Sequence, residues 1–162
     1  MSAALDNNFV AALGTLGLTP ATLGNATLAD GSVSFPITGG TLTVFDKSSG
    51  YRPYVQGTLL HQNSGLSLTA GGTTVELTDF TVDPGTPARL FGDVAVNGQQ
   101  AAASAPLFDL DGTTLNPISM DSSGNAVLQA PRRAQPRGRR STQQDLRRGL
   151  VIGIATITVP TS

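Results

Sequence analysis

The chain has 162 residues, of which 39% are hydrophobic and only 13% charged, with a formal net charge of −1 and no cysteine. That length suits one domain with a real core, and an apolar share this large with so little net charge excludes an intrinsically disordered chain. Without cysteine there are no disulfides and no thiolate metal site, and no apolar run reaches the roughly 18 residues of a bilayer-spanning helix.

Twenty threonines stand beside nineteen glycines. Threonine favours pleated, half-exposed strands and glycine favours tight turns, so the bias predicts many short strands. The N-terminus lacks the basic start and apolar centre of a signal peptide, so an exported chain would have this as its mature form, with Met1 added for expression.

Residues 4–17 place Leu5, Phe9, Val10, Leu13 and Leu16 at helical spacings, with Asp6 positioned to cap the first turn and Gly17 to end the helix. From residue 32 the period changes to two. Val33, Phe35 and Ile37 alternate with Ser34 and Pro36, and Gly39-Gly40 then turns into Thr41–Phe45, so these read as two adjacent strands. After the turn residues Asp46–Gly50, a third strand is expected at 54–60, followed by 66–68 and 75–80 on either side of a Gly71-Gly72 turn. Further strands are expected at 89–96, 105–110 and 125–129. The closing strand, 150–159, opens as a continuous apolar run that belongs in the middle of a sheet.

The pattern predicts a single domain over 1–162. The helix at 4–17 leads into a mainly β body over 32–130 and 149–160, either an antiparallel β-sandwich or an open barrel. Residues 131–148 stand apart. Residues 1–130 carry three basic residues against ten acids, whereas residues 131–162 carry seven arginines against Asp145. Arg132, Arg133, Arg137, Arg139 and Arg140 form a basic patch without periodicity, which reads first as a solvated loop. It could instead dock an anionic surface or nucleic acid, or be a stretch of GC-rich codons read out of frame; nucleic acid is the weaker partner.

Phe108-Asp109-Leu110-Asp111-Gly112-Thr113 resembles the first motif of haloacid-dehalogenase-type phosphatases, in which one aspartate attacks phosphorus and the next is the acid/base. The context opposes it. No lysine and only Asp121 and Asp145 follow Leu115, so the partners of that chemistry are missing, and a strand end followed by an Asp-Gly turn is the simpler reading. A calcium loop starting at Asp109 would need a bidentate Glu at its twelfth position, where Met120 stands. His61 is the only histidine, so any multi-histidine metal site is excluded, and it reads as a hydrogen-bonded structural residue. No Gly-rich phosphate loop occurs, and the scarcity of aromatics argues against stacking platforms.

Phe35-Pro-Ile-Thr-Gly-Gly40, Gly57-Thr-Leu-Leu-His61-Gln-Asn-Ser-Gly65-Leu66, Leu77-Thr-Asp-Phe80 and the closing Gly149–Val159 resemble secreted domains of high-GC bacteria related to the HtaA haem-uptake domains, over roughly residues 33–160. The resemblance implies an immunoglobulin-like or related β-sandwich, export, and no enzymatic activity. In that family the haem-ligand tyrosine sits in a Phe-Arg-x-Tyr segment near the start of the domain and a histidine supports it. Here Tyr51-Arg-Pro-Tyr54 falls between the second and third expected strands, and only His61 matches by position. The expectation is therefore a non-catalytic extracellular or cell-surface β-domain with a structural or adhesive role, without cofactor, meeting other surface proteins or copies of itself. The alternative is a haem-binding domain using Tyr51 or Tyr54 with His61.

Overall fold

The computed structural model describes residues 1–110, 119–129 and 153–159. In chain order these form β1 (Ser2–Leu5), α1 (Asn7–Thr15), β2 (Thr19–Gly24), β3 (Thr27–Ala29), β4 (Ser32–Ser34) and β5 (Gly39–Val44). They continue as β6 (Val55–Ala70), β7 (Thr73–Asp83), β8 (Arg89–Val96), β9 (Gln99–Asp109), β10 (Ser119–Met120), β11 (Ala126–Gln129) and β12 (Gly153–Val159). One sheet has the order β10-β11-β12-β1-β4-β3; the other runs β2-β6-β7-β8-β9, with β5 also paired to β6. The pairings among the described residues are antiparallel. The described residues are mainly β with one short α-helix and a single 3-10 turn at Lys47–Ser49, and of the two expected architectures the sandwich is the one found.

The core lies where the sheets meet. Ala26, Val33 and Phe35 from the first side close on Leu59, Phe80, Val82 and Leu90 from the second. Phe35 and Phe80 meet edge to face, with ring centroids 5.1 Å apart at 89°, the arrangement that the aromatic quadrupole favours. Helix α1 forms within the expected span but is shorter, Asn7–Thr15, because Ala4 and Leu5 pair with β12 as part of β1. Asp6 accepts from the Asn8 amide at 2.8 Å at its N-terminus, and Leu13 is its one buried residue.

Three short strands precede the region where the sequence shows alternation. β2 and β3 are mostly exposed and β1 is half-buried, and what makes all three strands is pairing with β6, β4 and β12. The expected neighbours at 33–37 and 41–45 are also placed differently. β4 belongs to the first sheet and β5 to the second, and Phe35–Thr38 crosses between them. Pro36 has no N–H to give to a ladder, so the chain leaves one sheet there and joins the other. Gly39 and Gly40 do not turn the chain; they open β5 opposite Leu60 and Leu59.

The expected strands 54–60 and 66–68 are one continuous strand, β6. β5 covers its first half and β2 its second along the same edge. The Gly71-Gly72 turn is found as expected, with φ of +55° and +80°. β12 lies between β11 and β1, in the middle of its sheet, as expected for the closing strand; residues 150–152, which open its apolar run, lie outside the described residues. No helix among the described residues is long and apolar enough to cross a membrane.

Candidate functional site: the His61 joint

β6 carries His61 opposite Phe80 and directs it inward, where it has no solvent exposure. Its Nδ1 lies 2.9 Å from the Pro36 carbonyl oxygen. A carbonyl can only accept, so Nδ1 carries the proton and Nε2 holds a lone pair; the tautomer follows from this partner. Nε2 is buried and has no hydrogen-bond partner. Beside this contact the Thr38 amide and hydroxyl donate to the Leu60 carbonyl at 2.8 and 3.1 Å, and the Thr38 hydroxyl accepts from the Gln62 amide at 2.9 Å. The crossing from one sheet to the other is thus fastened to Leu60, His61 and Gln62 in succession.

Burial holds the His61 pKa below the ordinary imidazole value by disfavouring the charged ring. The Pro36 carbonyl opposes this. The Met1 ammonium adds to the lowering, and the Phe35 carbonyl opposes it weakly. That ammonium donates to the Phe35 carbonyl at 2.9 Å, and its own pKa is lowered by desolvation. The joint therefore keeps a neutral imidazole in an apolar setting.

Just past His61 the β6–β7 register breaks, with three residues on β6 facing only Asp79 on β7. Asn63 and Asp79 both adopt left-handed backbone, at φ +55° and +53°, a conformation that Asn and Asp tolerate better than other side-chain-bearing residues. Leu59 and His61 face the core before the break and Leu66 packs on it afterwards, while on β7 Phe80 and Val82 are matched by Leu77. The Ser64 hydroxyl donates to the His61 carbonyl at 2.9 Å, and the Asn25 amide donates to the Asn63 carbonyl at 2.8 Å.

The two tyrosines are not part of this joint. Tyr51 is 57% exposed and stacks on Phe45 at 4.4 Å and 26°. Tyr54 is half-buried immediately ahead of β6, with His61 seven residues further along an extended strand, on the order of 20 Å away. That arrangement, with the histidine sealed in the core, does not fit one porphyrin held by a tyrosinate and a supporting histidine. Asp109 ends β9 and pairs with Arg89 at 3.2 Å on the surface, with Asp109 84% exposed. The second aspartate of the phosphatase-like motif, Asp111, lies outside the described residues, as does the basic patch Arg132, Arg133, Arg137, Arg139 and Arg140. A shallow depression of about 330 Å³ lies against the crossing, lined by Phe35, Pro36 and the hydroxyl residues Ser2, Thr27, Ser34 and Thr156.

Pro36, Thr38, Asn63 and Asp79 are the members of the joint that the sequence reading passes over. The available signal is the pair of turn-forming residues inside otherwise strand-like runs, Asn63 after His61 and Asp79 before Phe80. No family model, curated protein or solved structure matches the chain.

Proposed function

We propose that this chain is a non-catalytic, exported or cell-surface β-domain with a structural or adhesive role, of the kind that its HtaA-like motifs suggest. One observation carries the reading: His61, the side chain best suited to act as a base, is fully buried and bonded to Pro36, so it serves the joint between the sheets. The exposed Tyr51–Phe45 stack and the mostly exposed edge strands β3 and β9 are the surfaces such a domain would offer to other surface proteins or to copies of itself.

Two measurements test this. Purified protein should turn over no ester, phosphate or glycoside substrate, and turnover that disappears in Asp109→Asn or His61→Gln overturns the reading. Titration with haemin should leave the Soret band of free haemin unshifted; a shift abolished by Tyr51→Ala or Tyr54→Ala installs haem binding in its place.

A further inference from the structure

His61 is the only histidine of the chain, and it joins the two sheets with one ring nitrogen bonded and the other buried without a partner. Protonation would place a second N–H, and a full charge, on a buried nitrogen that has no hydrogen-bond partner, beside a Phe35 carbonyl already engaged by the Met1 ammonium. We propose that His61 is a pH-sensitive latch: when the ring is protonated in a mildly acidic medium, the crossing Phe35–Thr38 releases from β6 and the sandwich opens along that side. This goes beyond the surface-domain reading and does not depend on it.

The charged groups around the ring offer nothing to offset its protonation. β2, β4, β5 and the crossing itself contain no titratable side chain. On β7, Asp79 is exposed and accepts from the Asn63 amide, Asp83 accepts from the Gly85 amide, and Glu76 stands opposite Ser67, away from Phe80. At the head of β1 the Met1 ammonium is itself positive. A buried cation facing another cation and no free carboxylate is costly, so the low-energy response is to let water reach the ring. The nearest route is the crossing. Its ties to β6 are the His61–Pro36 bond and the Thr38 bonds, and one side of it already lines an open depression.

The sign follows from the lowered pKa of the folded ring. Above the unfolded value of about 6.5 both states hold a neutral imidazole, and the closed form has its full stability. As the pH falls below that value the open form takes up a proton that the closed form refuses, so stability is lost towards acid.

The test uses the full chain. Urea unfolding between pH 7.5 and 5 should show wild-type stability falling below about pH 6.5, by up to tenfold in the folding equilibrium constant per pH unit, the slope of one proton. In His61→Gln, whose amide can still donate to Pro36 but does not titrate, that fall should be absent, while the Met1 contribution remains in both proteins. Equal slopes in the two proteins overturn the proposal. Should His61→Gln fail to fold, the wild-type imidazole ring protons read by NMR decide it. They should keep their neutral position in the closed state below pH 6.5, and a smooth titration near 6.5 without opening overturns the latch. Hydrogen exchange locates the opening: the Thr38 and Gln62 amides should lose protection in acid before the β7–β8 ladder, and simultaneous loss refutes a local latch.

Discussion

Asn63 and Asp79 face each other across the break in the β6–β7 ladder, both with left-handed backbone, and the Asn63 amide donates to Asp79 Oδ1 at 2.8 Å. The ladder breaks register at this point, and beyond it Leu66 and Leu77 pack on the same core as Leu59 and Phe80. Asp79→Ala removes the acceptor and substitutes a residue that resists φ near +53°. A loss of about 2 kcal/mol is expected, combining a hydrogen bond and a left-handed backbone penalty. Asp79→Asn, which keeps both an acceptor oxygen and tolerance of that backbone, should lose less than half as much. Urea denaturation of the two variants checks this, and equal losses would show that the carboxylate charge, not the geometry, is what matters.

Phe35 and Phe80 tie the two sheets through one edge-to-face contact. Both are almost completely buried, at 4% and 2% exposure. Truncating either to Ala should cost about 3–5 kcal/mol through lost burial and the cavity left behind. A double-mutant cycle should give a coupling of about 1 kcal/mol beyond the sum of the single losses. Coupling near zero would mean that each ring packs independently on its own sheet.

Gly57 sits in β6 opposite Leu42 with φ +122°, and a Cβ there would run into the Thr41 carbonyl. Gly57→Ala should therefore destabilise by more than about 1 kcal/mol and loosen β5 specifically. Faster hydrogen exchange at the Thr41 and Thr43 amides, with β7 and β8 unchanged, is the expected signature. A variant as stable as wild type would show that β5 is not held closely to β6.

The basic patch makes a prediction from charge alone. Deleting residues 132–140 removes five of the ten basic residues and leaves a chain of clearly negative net charge. Retention of the whole chain on heparin should weaken steeply as salt rises, since each neutralised anion releases a counterion, and the deletion should abolish it. Retention unchanged by the deletion places the anion contact elsewhere on the surface.

Local chemistry settled several elements in advance of any tertiary contact. Asp6 caps α1, Gly71-Gly72 turns β6 into β7, and the apolar run before Val159 belongs to a strand in the middle of a sheet, because a cap, a tight turn and a two-sided apolar strand are properties of neighbouring residues. β1 and β2 carry no such pattern, since they are strands by virtue of hydrogen bonds to partners far along the chain, β12 and β6, whereas β3 pairs with its neighbour β4 through the Asp30-Gly31 turn. The period of two also breaks at Asn63, which makes β6 look like two strands, and nothing local says that Pro36 carries the chain to the opposite sheet. The fate of His61 turned on that crossing. Its sequence surroundings are those of a half-exposed strand residue, and only the approach of the Pro36 carbonyl from the other sheet made it a buried, singly bonded imidazole.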